Sequence, residues 1–284
     1  MRKFSLAYLT LPGIDPVTQI RIAAECGYDY VSLRTIPLHL AGEPEFLLHK
    51  DKALMRNVKQ AIREYSMPVM DIELARIRED LDVYEYEPAF EAAAEIGATD
   101  VLGSIWTRDE AYFSKKVAIV ADMAAKYNLN YSIEFLTWAG VRNLAEAKAL
   151  VDKLERPNLY CLVDTLHAHR SHVSADEIAK CGVKYFRFIH LCDGPYEIPS
   201  SLEDPEMLRI AREARQYPGS GGIDIAGMVH AMPGLPISIE LPNLRNIAVY
   251  GFKGHARLCL EAAKEYLSYS DLKLSQATAS GFGG

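Results

Sequence analysis

Short apolar runs rich in β-branched residues alternate along the chain with longer stretches whose apolar residues recur at helical spacing. The runs Phe4–Thr10, Tyr28–Arg34, Pro68–Ile77, Asp100–Trp106, Asn130–Phe135, Leu159–His167, Tyr185–Cys192 and Pro236–Leu241 read as strands. Helices are expected between them: from Asp15–Pro16 to about Cys26, then Lys52–Tyr65, Glu87–Ile96, Asp109–Tyr127 and Asn143–Leu154. Ser174–Cys181, Pro205–Arg215, Ile223–Ala231 and Asn246–Leu267 complete the set. Asp15 before Pro16 is a cap followed by a first-turn proline, and Gly27 marks the end of that helix. Eight strands alternating with helices predict an α/β fold, a single (β/α)8 TIM barrel, with a doubly wound open sheet as the alternative. No linker or repeat interrupts the alternation. The barrel domain is placed at 1–274, and the small, polar, glycine-containing stretch Ser275–Gly284 is expected to be a flexible tail.

The chemistry gathers at strand ends. Strands five to eight each close on a metal-ligand type: Glu134, Asp164, His190 and Glu240. Residues two apart on a strand share a face, so each comes after an interior position: Ser132, Leu162, Phe188 and Ser238. Three carboxylates and an imidazole brought together repel and desolvate badly unless a cation joins them. The oxygen-rich set favours one divalent ion, Mn2+ or Mg2+, with Zn2+ or Co2+ as alternatives. Four protein ligands on an octahedral ion leave two positions for a bidentate substrate. Read separately, the four are strand-end residues in unrelated salt bridges.

Asp164–Thr165–Leu166–His167 resembles the Asp-x-x-His motif of D-tagatose 3-epimerase-type enzymes, and Ile189–His190–Leu191–Cys192–Asp193 resembles their seventh-strand histidine segment. Ile133–Glu134 and Ile239–Glu240 resemble the two glutamates that hold metal and exchange the substrate proton. Pro218–Asp224 resembles the Pro-Gly-x-Gly-x-x-Asp loop before strand eight. Together they resemble the xylose-isomerase-like barrel superfamily, the sugar phosphate isomerase/epimerase group, over nearly the whole chain. Glu134–Phe135–Leu136–Thr137–Trp138 also resembles a run in bacterial 3-dehydroshikimate dehydratases of that superfamily. No arginine comes after His190 where the epimerase pattern has one on the seventh loop.

The resemblance implies an isomerase or epimerase acting on a sugar, sugar phosphate or related hydroxy-ketone through a metal-stabilised enediolate. Glu134, Asp164, His190 and Glu240 would hold the metal, Glu134 and Glu240 would move the proton, and His167 would orient or protonate a substrate oxygen. The alternative is a lyase of the 3-dehydroshikimate dehydratase type, in which a β-hydroxyl leaves. A further alternative is a barrel that binds metal and sugar without turnover.

Other features divide between two readings. Arg34 holds a substrate carboxylate or phosphate, or pairs with Asp71 or Glu73 on the next strand. Trp138 and Trp106 wall a pocket or simply pack. Gly219, Gly221 and Gly222 cradle a phosphate or form a plain turn. His169 and His172 read as solvated loop residues. A Ser-His-Asp hydrolase is excluded because no Gly-x-Ser-x-Gly elbow is present. An endonuclease IV-like hydrolase would need more histidine ligands and a basic groove. The net charge of −7 and pI near 5.7 argue against nucleic acid and anionic membranes as partners. Five scattered cysteines without a CxxC pair, and no signal-peptide core, predict a cytoplasmic protein with free thiols. A homo-oligomer is left open.

Overall fold

The computed structural model describes residues 2–39 and 42–280, the side chains of 277–280 excepted. Eight parallel strands close into a barrel in sequence order: β1 (Phe4–Leu6), β2 (Tyr30–Arg34), β3 (Val69–Ile77), β4 (Asp100–Ile105), β5 (Asn130–Glu134), β6 (Leu159–Asp164), β7 (Phe186–Leu191) and β8 (Ile237–Ile239). Pairing of β1 with β8 completes the ring. The open-sheet alternative is thereby excluded.

Helices α1 (Pro16–Cys26), α2 (Lys52–Tyr65), α3 (Glu87–Glu95), α4 (Glu110–Lys126) and α5 (Leu144–Leu154) come after β1 to β5. Their starts reflect local chemistry. Asp15, Asp51, Asp109 and Asn143 each accept from a first-turn amide, and Gly27 takes the left-handed conformation (φ 84°) that ends α1. Most apolar side chains on the outward strand faces meet these helices in one continuous core. Met70, Leu102, Leu162 and Phe188 form a separate cluster that fills the barrel's interior. The reactive end is built above this layer.

Several boundaries differ from expectation, two of them at the barrel mouth for a local reason. The first strand stops at Leu6, because Tyr8–Thr10 turns across the barrel mouth. The Tyr8 amide donates to Glu73, and the Thr10 hydroxyl donates to the carbonyl of Ile239. The sixth strand stops at Asp164, which caps a short helix, α6 (Thr165–Arg170), by accepting from the amides of Leu166 and His167. His167 is therefore a first-turn helical residue, not the end of a strand. Beyond β6 come α7 (Ala175–Cys181), α8 (Pro205–Glu213), α9 (Ile225–His230) and α10 (Leu244–Ser280), the last broken at Gly251 (φ 66°, ψ 171°). α10 thus continues through the first part of the stretch expected to be a flexible tail, while residues 281–284 lie outside the described residues.

Candidate metal centre

Four strand ends converge. One ligand atom from each of Glu134, Asp164, His190 and Glu240 lies within 4.8 Å of the others, and all four residues are buried. The register brings them near one another: Asp164 pairs directly with His190, while Asp164 and Glu240 each lie two residues beyond the partners of Glu134 (Leu162) and His190 (Ser238). His190 Nδ1 stands 3.6 Å from Glu134 Oε1 and 3.5 Å from Glu240 Oε1. Glu134 Oε1 and both ring nitrogens of His190 are buried without a hydrogen-bond partner. Such atoms are costly unless something completes them.

A fifth residue completes the charge arrangement. Arg215 is buried and reaches two of the four: Nη1 is 2.6 Å from Asp164 Oδ2, and Nη2 is 2.9 Å from Glu240 Oε2. Its Nε donates to the carbonyl of Ala211, and Nη1 also donates to the carbonyl of Glu240. Asp164 is then held from two sides, because its other oxygen accepts from the start of α6. Burial acts downward on His190, but Glu240 and Glu134 outweigh it and raise the ring well above its usual range, so without a cation it is charged. Once the ring is neutral, as a ligand must be, three carboxylates against one guanidinium leave two negative charges. A divalent ion balances them, and the unpartnered atoms are of the types that ligate one.

The electrostatics separate the two glutamates. Burial, reinforced by Glu240, lifts Glu134 to about 7 against the pull of His190. Burial also acts upward on Glu240, but His190 and Arg215 outweigh it and hold that carboxyl well below its usual range. Burial lowers His167 to about 4, with Arg215 and Arg170 acting in the same direction, so its ring is neutral at pH 7.

A cavity of about 440 Å³ opens beside these groups. His167 and Trp138 form part of its wall, their rings edge to face at 5.1 Å, and neither His167 Nδ1 nor Trp138 Nε1 has a partner. Trp106 also lines it, its indole donating to Ser104. Arg34 lines it as well, but its charge is engaged: Nη2 is 2.7 Å from Glu73 and Nη1 is 2.8 Å from Glu43. The salt-bridge reading of Arg34 is therefore the one realised, through Glu73 and not Asp71, which accepts from Ser32.

The glycine loop is a turn around the chain's own acid. Asp193 accepts from the amides of Gly219 and Gly221 (2.9 Å each), Ile223 and Gly194. A Cβ at Gly221 would stand 2.3 Å from Asp193 Oδ1, so the turn requires glycine there. The phosphate reading of these glycines fails because their donors are taken. His169 bonds the carbonyl of Tyr196 and lines a different depression with His172, apart from the four-residue cluster.

Sequence reasoning missed Arg215 and Arg76. Arg215 comes at the end of the long connection after β7, far from the seventh-loop position of the epimerase pattern, and no spacing signals its return to the site. Arg76 is an interior residue of β3 that faces the cavity. All five cysteines are unpaired, and no described helix is long and apolar enough to cross a membrane.

A family model for the xylose isomerase-like TIM barrel matches residues 20–259. A curated relative, the 3-dehydroshikimate dehydratase of Pseudomonas aeruginosa, is 26% identical over 263 residues. That match takes in 84% of this chain, which spans only 38% of the relative's length. Among solved structures, IOLI protein with a bound zinc atom superposes with a TM-score of 0.76 at 16% identity, covering 94% of this chain and 99% of that one. D-allulose 3-epimerase from Methylomonas sp., in complex with D-allulose, gives 0.67 at 16% identity, covering 93% and 97%.

Proposed function

Because the chain belongs to the xylose isomerase-like TIM barrel family, we propose that it is a divalent-metal-dependent enzyme that removes the proton next to a substrate carbonyl. The observation that carries this is the buried cluster of Glu134, Asp164, His190 and Glu240, with its unpartnered ligand atoms. A divalent ion held by these four would act as a Lewis acid toward the substrate carbonyl and stabilise the negative charge left on its oxygen. The chain's residues do the remaining work. Glu134, whose Oε1 is buried without a partner, takes the proton. Glu240, tied to Arg215, stays ionised and balances charge. His167, neutral and buried against Trp138, orients a substrate oxygen by hydrogen bonding.

The step after proton removal defines the reaction. In the first reading the proton returns to the opposite face or the adjacent carbon, giving an isomerase or epimerase of a hydroxy-ketone such as a sugar or sugar phosphate. The relationship to D-allulose 3-epimerase in fold fits this reading. The second reading is a lyase that expels a β-hydroxyl, and the cavity wall favours it. Leu74, Leu102, Leu136, Trp106 and Trp138 offer few partners for the many hydroxyls of a free sugar. The dehydratase relative points the same way.

The test begins with metal. Purified protein should carry roughly one divalent ion per chain, and Asp164→Asn or His190→Ala should lose most of it, since each removes a ligand from a set of four. Equal metal by elemental analysis in parent and variants would end this reading. Metal-loaded protein is then offered ketoses, ketose phosphates and 3-dehydroshikimate in D2O. Deuterium at the carbon next to the carbonyl, with or without loss of water, separates the two fates: exchange alone for the first, loss of water for the second.

A further inference from the structure

Four arginines reach the cavity, and they differ in what balances them. Arg34 is held by Glu73 and Glu43, and Arg215 by Asp164 and Glu240. Arg212 is exposed to solvent at the rim. Arg76 is the exception. It is 8% exposed, yet no carboxylate pairs with it and no acceptor meets its guanidinium among the described residues. Its Cζ lies over the Trp106 ring, 5.3 Å from the centre, and both residues line the cavity. Leu74 and Leu102 line the same wall. Burial, with Arg34, Arg78 and Arg212 repelling it, lowers Arg76 to about 10.

A largely buried cation without a counter-charge, placed on the cavity wall, is suited to a ligand that supplies the missing anion. We propose that Arg76 is the anion subsite of this cavity and that the substrate carries a carboxylate there, apart from the carbonyl that is activated at the four-residue cluster. A carboxylate matches the observations better than a phosphate. One planar fork pairs with two coplanar oxygens, no lysine lines the cavity, and the glycine turn that could have cradled phosphate is occupied by Asp193. The inference deepens the proposed function by naming a substrate class, a carboxylated hydroxy-ketone in place of a neutral sugar. It rests on that reading only in sharing its cavity.

A binding measurement that needs no turnover lets either idea fail alone. Both tryptophans of the chain, Trp106 and Trp138, line the cavity, so their fluorescence reports its occupancy. Cyclohexanecarboxylate, cyclohexanecarboxamide and cyclohexyl phosphate are titrated into metal-loaded and chelator-treated protein. The carboxylate should bind ~10- to 100-fold more tightly than the amide in both preparations, the worth of a charge-assisted pair. Arg76→Gln should bring the two to parity. Arg76→Lys, which keeps the charge and loses the fork, should retain only part of the preference, and it serves if the Gln variant does not fold. Arg212→Gln should leave the ratio within about threefold, as expected of an exposed charge. Three results would overturn the proposal: no preference for the carboxylate, a preference that survives Arg76→Gln in chelator-treated protein, or tighter binding of the phosphate.

Discussion

The two halves of the barrel mouth are built on opposite electrostatic plans. Strands β5 to β8 bring in Glu134, Asp164, His190 and Glu240, an acidic set with unpartnered ligand atoms whose charge His190 and Arg215 offset only in part. Strands β2 and β3 bring in Arg34, Glu73 and Arg76, where acid and base are mostly paired within the protein and the surplus is a cation. One half lacks positive charge and the other lacks negative charge, with the cavity between them. A metal answers the first deficit and an anionic substrate group the second. The polarity of the cleft therefore specifies the orientation of a bound substrate: carbonyl toward β5–β8, anion toward β3.

The largest effect should come from the acidic half. Glu134→Gln keeps an oxygen ligand and the side chain's size but removes the group that takes the proton. Turnover with a true substrate should fall by a factor on the order of 10²–10⁴, the usual worth of general acid–base catalysis, with metal content falling far less. Glu240→Gln should act differently, because Glu240 is the ionised partner of Arg215 and His190. Its loss should show first in metal retention. Equal turnover of parent and Glu134→Gln would remove Glu134 as the base and dissolve the asymmetry between the glutamates.

Arg215 is a counter-charge within the acidic half, and its removal should be nearly as costly. Buried between Asp164 and Glu240, it is the cation that lets three carboxylates share one site. Arg215→Met fills similar volume but strands two buried carboxylates, an error that costs about 3–5 kcal/mol. Thermal unfolding should show the loss, and added Mn2+ should recover part of it by supplying charge to the same carboxylates. An unchanged melting temperature would mean that the acids are protonated or solvated instead of held by Arg215.

The acidic half was legible from the sequence because it obeys short-range rules. Each of its residues lies at or next to the carboxyl end of a strand, the strands are consecutive, and the period of two fixes which side chain faces inward. The caps Asp15 and Asp51 and the stop at Gly27 come from local chemistry in the same way. The cationic half was not legible. An arginine within a strand pairs with a neighbouring acid in most folds, and only the three-dimensional account of which acids are already taken separates Arg34 from Arg76. Arg215 lies just past α8 in a long connection, and nothing in that helix's spacing aims it at the site. The glycine turn looked like a phosphate loop because its donors are real. Sequence spacing could not reveal that Asp193, 26 residues before Gly219, fills it.

The smallest predicted effect concerns the acid beneath the cationic half. Asp71 on β3 is fully buried, accepts from Ser32, and leaves its other oxygen without a partner. Burial, with Glu73 adding repulsion, raises its carboxyl from 3.8 to about 8, against the pull of His190. The sign comes from proton counting. Between about pH 4 and 8 the folded chain holds a proton at Asp71 that the unfolded chain has released, so this group's contribution to stability falls as pH rises through that window and levels off above it. The slope is about 1.4 kcal/mol per pH unit. Asp71→Asn keeps the neutral form's shape and has no proton to lose. The stability of the variant relative to the parent should therefore grow by about that amount per unit between pH 5 and 7. Urea unfolding of both proteins at pH 5, 6 and 7 measures the difference directly, and titrations shared by the two, such as that of Glu134, cancel in it. A difference that stays constant with pH would mean that Asp71 is ionised in the folded chain, and that the cationic half has a charged acid beneath it after all.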